Sequence, residues 1–346
     1  MSRHGSGARG GWFEDTGDSD LPLFNDQRPL TGPFLTFFSV ISNTMRPPSL
    51  PVLRLAGCFL ALLLATPQPI LARQPSEPRV LLVTAHPDDD ALFAATVYRI
   101  THHLNGKVDL ALITDGSGGY RYSTLAEPIY GRTLTDEAVA RQYLPAIRKQ
   151  ELMAGGSIVG IRKYFFLDQP DLRYTLNVDS VFSDHWDAEF VWDRLGAILE
   201  EGAYDFVFTF VPLPETHGAH KGAAISALRA VNRMPPENRP VVLASFIRSA
   251  SETTPLDFTE LPGYPLTRLN KEIEPFSFDR NRPIGIGGRL NYKIIVNWLI
   301  AEHKSQGTMQ LLMNRGDEEL FWVYAMNGPD AEEKARAFFN RLNTDP

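Results

Sequence analysis

Cysteine is all but absent from this chain: Cys58 is the only one in 346 residues. No internal disulfide can form, and a thiolate-rich zinc site is excluded. Any metal centre must therefore be built from His, Asp or Glu. A basic excess is absent too. The 34 Lys and Arg residues face 41 Asp and Glu, a formal net charge of −7, which is the wrong sign for holding nucleic acid by phosphate neutralisation. There are no internal repeats and no low-complexity tract. Hydrophobic residues make up 43% and charged residues 22%. Those are globular values, so wholesale disorder is excluded as well.

A bilayer-length apolar run is also missing from the N-terminal region. The small-or-apolar run 55–65 follows Arg46 and Arg54 and falls well short of the ~20 residues a transmembrane helix needs. It has the length of a signal-peptide core. The expectation is an export signal over 45–72, starting at Met45 and cleaved near Ala72. Residues 1–44, irregular and rich in Gly, Asp, Ser and Pro, then read as an upstream extension. The mature chain would be secreted or periplasmic, without stable membrane insertion. Cys58 in Leu55-Ala56-Gly57-Cys58 looks like a lipidation site, but the apolar run lies after it rather than before it.

From residue 79 the pattern changes. Short, nearly all-apolar runs at 79–85, 108–114, 164–167, 206–211, 241–246 and 320–325 read as strands. Runs at 91–104, 145–159, 190–201, 219–233, 292–304 and 331–342 carry helical spacing. Strands that are apolar throughout and alternate with helices imply a mostly parallel sheet covered on both faces, a doubly wound three-layer α/β fold. One domain over 77–346 is expected. The stretches 115–144, 171–187 and 249–288 stay irregular and are candidates for the rim of a site.

In open α/β sheets ligands bind beyond the carboxyl ends of the strands. After the first strand comes His86-Pro87-Asp88-Asp89-Asp90. After the strand at 206–211 comes a segment ending His217-Gly218-Ala219-His220. A catalytic zinc wants three His or carboxylate ligands and one open position for water. A separate carboxylate must take the proton from that water. His86, Asp88, Asp89 and His220 supply such a set. Each cluster alone has a plainer explanation, a turn with a helix cap or a surface loop. It is their joint placement on one sheet edge that points to a metal. The chemistry suits Zn2+ and equally Fe2+.

The combination resembles the PIG-L/LmbE family of metal-dependent de-N-acetylases, with a Rossmann-like fold. The resemblance covers most of 79–246 and, more weakly, the remainder. It rests on Ala85-His86-Pro87-Asp88-Asp89 and on His217-x-x-His220. It implies that His86, Asp89 and His220 bind the metal, that Asp88 is the general base, and that His217 faces the scissile carbonyl. Two looser matches are Arg148 with Glu151, whose Arg would contact substrate, and Ala301-Glu302-His303-Lys304-Ser305-Gln306 near the tail. Asp90 stands where the family usually has Glu, and His-Gly-Ala-His replaces the commoner His-Pro-Asp-His.

The expected activity is hydrolysis of the acetyl or another acyl amide of an N-acylated amino sugar or glycoconjugate. A protonated His217 would help the metal to stabilise the oxyanion. Asp171 is a further candidate, as a partner for a sugar hydroxyl. Two other classes remain at this point. A magnesium phosphohydrolase could be built on 88–90 and the 115–119 loop, but Mg2+ prefers oxygen ligands. A metal-assisted carbohydrate-binding module without turnover would need neither Asp88 nor His217.

Overall fold

The structure is a computed structural model, and it describes residues 77–171, 174–252 and 254–344. The proposed extension and signal segment, with Met45, Cys58 and Ala72, lies outside the described residues. In chain order the strands of the main sheet are β1 (Arg79–Thr84), β2 (Lys107–Thr114), β3 (Ile161–Gln169), β4 (Phe206–Phe210), β5 (Val241–Arg248), β6 (Phe276–Asp279) and β7 (Glu318–Val323). They lie side by side as β3-β2-β1-β4-β5-β7-β6. The first five are parallel, β7 is antiparallel to β5, and β6 is antiparallel to β7.

The main helices are α1 (Ala94–His103), α2 (Glu137–Val159), α3 (Val178–Asp184), α4 (Ala188–Gly202), α5 (Gly218–Arg233), α6 (Tyr292–Glu302) and α7 (Ala331–Asn343). Strand alternation explains the three layers. In β1, Val80 and Leu82 enter a core shared with α1, α2, α6 and α7. Leu81 and Val83 enter the opposite core, with α3, α4 and α5. A strand apolar on both faces is stable only when both are covered, and each fully buried Val, Leu or Phe then contributes about 1.5–3 kcal/mol. The fold is α/β and doubly wound. Among the described residues no helix is long and apolar enough to cross a membrane.

Three departures from the sequence expectation have physical reasons. Helix α2 begins at Glu137, not at Pro145, which lies inside it. Asp136 caps it by accepting from the Val139 N–H. Ala140, Leu144, Arg148 and Leu152 then form one buried face at a spacing of four residues, so packing outweighs the hydrogen bond that the proline forfeits. Strand β6 forms inside the stretch expected to be irregular, because Phe276 and Phe278 pair along β7. Helix α3 forms inside 171–187, capped by the Asn177 side chain, which accepts from the N–H groups of Asp179 and Ser180.

Strand order reverses between β1 and β4, and the crevice at their carboxyl ends is where such sheets bind ligands. The chain leaves β1 through His86 into a tight 3-10 turn, Pro87–Leu92, with Pro87 at its first position, where the missing N–H costs nothing. This turn and the start of α1 are fastened by buried side chains of β7 and of the residue after β6. Buried Glu319 of β7 accepts from the N–H groups of Ala95 (2.9 Å) and Thr96 (2.8 Å). Buried Arg280 bridges Glu319 (2.9 Å) and the Ala91 carbonyl (2.6 Å).

Candidate active site

His86 sits at the exit of β1, and His217 and His220 begin α5 after β4, so the strand reversal brings the two clusters face to face. His86 Nδ1 lies 3.0 Å from His220 Nε2, which lies 3.1 Å from Asp89 Oδ1. One ligand atom from each of His86, Asp89 and His220 lies within 4.8 Å of the others. The second Asp89 oxygen accepts from the backbone N–H groups of His86 (2.6 Å) and Ala85 (3.0 Å), which fixes the carboxylate.

The electrostatics explain what such a cluster wants. Burial works against ionising Asp89, but His220 and His86 outweigh it and hold its carboxyl below the usual range. Burial also opposes charge on His86, yet Asp171, Asp89 and Asp88 prevail and raise its pKa to about 9. Two imidazole nitrogens and a carboxylate oxygen thus converge among further carboxylates, an arrangement that calls for a cation. Two His and one carboxylate is the donor set of a catalytic zinc site with an open position, and the residues fit a divalent ion.

Asp88 is outside this triad but lines the same cavity. Its pKa is raised, first by burial and then by Asp89. Two supports were not foreseen from the sequence. His303 Nε2 meets Asp90 Oδ1 at 2.8 Å, both side chains fully buried. Gln306, in the amide orientation that satisfies its neighbours, donates to Asp88 Oδ2 (3.1 Å) and Oδ1 (3.2 Å) and accepts from His303 Nδ1 (3.3 Å). The signal was there in the run from Ala301 to Gln306, but nothing in it names a partner more than 200 residues away.

His217 differs from expectation in its charge. Burial, and then His86 and His220, lower its pKa to about 4, so it is neutral near pH 7 instead of protonated. Its ring lies 5.1 Å from that of His86 and 5.0 Å from that of Tyr174. Among the described residues its buried Nδ1 has no hydrogen-bond partner. A neutral imidazole still donates one N–H.

Arg148 also has a different task. Its Nη1 donates to the carbonyls of Gly116 and Gly118, both at 2.6 Å. Its Nε donates to Ser305 Oγ (3.2 Å), and Nη2 to the Ser305 carbonyl (3.2 Å) and Ser123 Oγ (3.4 Å). A guanidinium has five N–H groups, and all are taken. Arg148 holds the loop beside the site, and only its charge is left for a substrate. Nor does it pair with Glu151, which accepts from the Ser305 N–H (2.8 Å) and hydroxyl (2.6 Å). Asp171 lies in the cavity wall, where Oδ2 accepts from the Gly118 N–H (2.9 Å) and Oδ1 stands 3.7 Å from His86 Nε2.

The cavity holds about 580 Å³. Its lining is part polar, with His86, Asp88, Asp89, His217, His220 and Gln306, and part apolar, with Leu92, Phe210, Val211, Phe246, Ile247, Met309 and Leu312.

The family described as PIG-L, GlcNAc-PI de-N-acetylase, matches residues 81–231, from β1 through α5. A Bacillus cereus protein named Probable N-acetyl-alpha-D-glucosaminyl L-malate deacetylase 2 is 32% identical over 177 residues, 51% of this chain and 71% of that protein. The chain belongs to the PIG-L family. A Bacillus subtilis protein of the same name is 25% identical over 255 residues, 72% of this chain and 98% of that protein. Among solved structures, the A40926 pseudoaglycone deacetylase Dbv21 matches at 18% identity and a TM-score of 0.48, covering 73% of this chain and 99% of that one. The PIG-L match spans both His clusters and Asp88.

Proposed function

We propose that this PIG-L protein is an exported, metal-dependent hydrolase that removes the acetyl group from the amide nitrogen of an N-acetylated amino sugar. The observation that carries the reading is a metal-ready His86–Asp89–His220 cluster with a separate carboxylate, Asp88, lining the same cavity. A divalent ion, Zn2+ or Fe2+, held by the three would supply a Lewis acid and acidify a water in the open position. Asp88 accepts the proton of the attacking water on a carboxylate oxygen. It returns that proton to the amide nitrogen as the C–N bond breaks, leaving acetic acid and a free amine, which exchange a proton to give acetate and an ammonium group. Neutral His217 can donate one N–H to the oxyanion as it forms.

The names of the Bacillus relatives support an N-acetylglucosamine-type substrate. The malate half carries over less well. Among the described residues lining the cavity, Arg148 is the one cation of the Lys or Arg type, and its N–H groups are committed. Export rests on Arg46, Arg54 and the run 55–65. N-terminal sequencing of the protein from its own cells should read from near Arg73, and an intact 1–72 segment on cytosolic protein would refute it.

The test is release of free amine from N-acetylglucosamine derivatives, run beside metal analysis. Asp88→Asn should keep the metal and lower kcat by about 10²–10⁴, the range for a lost general base. Asp89→Asn should instead weaken metal affinity. The opposite pattern would swap the two roles, and near-normal cleavage by Asp88→Asn would end the general-base mechanism.

A further inference from the structure

A general base is only as good as its aim, and Asp88 is aimed by one neutral donor. Among the described residues, the hydrogen bonds that reach its carboxylate come from the Gln306 amide, which spans both oxygens. Behind Gln306 stand His303 and Asp90, and all three are essentially shut off from solvent. We propose that Asp90, His303 and Gln306 form a buried positioning chain that fixes the orientation of the Asp88 carboxylate. The inference rests on the reading of Asp88 as the base.

Each link constrains the next. Asp90 Oδ1 faces His303 Nε2 at 2.8 Å. An ionised Asp88 carboxylate offers only lone pairs, so the Gln306 NH2 must face it, and the amide oxygen then lies 3.3 Å from His303 Nδ1, whose N–H it accepts. The reverse amide orientation would set oxygen against carboxylate and leave a buried group unsatisfied.

The chain is also mounted rigidly. Next to Gln306, Ser305 gives its N–H and hydroxyl to Glu151 and accepts from Arg148. The segment after α6 is thereby clamped to α2. On the other side, Asp90 belongs to the Pro87–Leu92 turn, which Arg280 holds through the Ala91 carbonyl.

A buried polar network can serve stability alone, so the test must read something that stability does not move. Gln306→Met keeps length and removes the donor. It is made in the native background and in Asp88→Asn, and kcat, KM and bound metal are measured with the methyl glycoside of N-acetylglucosamine. In the native background kcat should fall by about 10–100-fold, the scale of a misplaced reacting group. KM should stay within about twofold and the metal content unchanged. In Asp88→Asn the same substitution should cost less than about twofold, because there is no longer a base to aim.

His303→Asn, which can still present an N–H to Gln306, should recover most of the loss seen in His303→Leu. Equal losses from Gln306→Met in both backgrounds would overturn the chain, as would losses in KM or metal. If Gln306→Met fails to fold, the His303 pair decides: equal kcat for the Asn and Leu variants would overturn it. Asp88→Asn as active as the native enzyme would instead strike the base assignment beneath it.

Discussion

The polar and apolar linings of the cavity are built on different physics. The polar lining is over-determined. His86, Asp88, Asp89 and His220 follow directly from strand ends and a helix start, and backbone N–H groups, Gln306 and the Asp90–His303 pair hold the two carboxylates. The apolar lining comes from the turn after β1, the ends of β4 and β5, and the short helix Gly307–Gln310 with the residues beside it, and its contacts are non-directional. Hydrogen-bonded groups tolerate little displacement, whereas apolar walls accept any shape of about the right volume. The polar lining is therefore held to one geometry, and the apolar lining is free to set what is presented to it.

The largest break in this comparison comes from a proposed metal ligand. His220→Ala should lose most bound metal and nearly all amide hydrolysis, while far-UV circular dichroism stays native because both apolar cores are untouched. Metal analysis at low free zinc checks it. Full occupancy in that variant would remove His220 from the ligand set.

A change on the apolar lining should act selectively. Leu312 lines the cavity and is 44% exposed, so the fold should tolerate Leu312→Lys. With an octyl glycoside of N-acetylglucosamine, kcat/KM should drop about 3–10-fold, the scale of a hydrophobic pocket contact. With the methyl glycoside it should change less than about twofold. Equal losses on both substrates would mean that this lining does not discriminate.

The same division marks what a sequence can show. Strands β1, β2, β4 and β5 carry apolar residues on both faces, so a parallel, doubly covered sheet was legible, and the strand-end rule pointed to the residues after β1 and β4. The supports were not legible. Asp90 and His303 are 213 positions apart, and Glu151 and Ser305 are 154 apart, while periodicity speaks only of near neighbours. Arg148 stood out as a residue, but four of its partners are carbonyls or hydroxyls of Gly116, Gly118 and Ser305, with no side-chain signature for a guanidinium partner. Helix α2 was read short because a proline looks like a start, when buried positions at Ala140 and Leu144 carry the helix through it.

The effect that touches turnover least is a pH signature inside the polar lining, where two histidines titrate in opposite directions. In the metal-free protein the carboxylates, Asp171 foremost, overcome burial and raise the His86 pKa from 6.5 to about 9. The folded chain then holds a proton that the unfolded chain releases. This stabilisation is full below about pH 6.5 and is lost as pH rises through about 9. His217 is the reverse. Burial and its neighbours lower it from 6.5 to about 4, so the folded chain refuses a proton that the unfolded chain takes, and stability falls as pH drops from 6.5 toward 4. A bound metal needs the His86 nitrogen free, so metal and proton compete there and metal affinity rises with pH. The Tm of chelator-treated protein should therefore decline between pH 6.5 and 9, a decline that saturating zinc abolishes and that His86→Gln removes. A domain of this size shifts by about 2–4 °C per kcal/mol, and a rise from 6.5 to about 9 is worth roughly 3 kcal/mol, so the decline is on the order of 5–10 °C. If His86→Gln declines as steeply as the native chain over that window, the proton on His86 is not what the surrounding carboxylates hold.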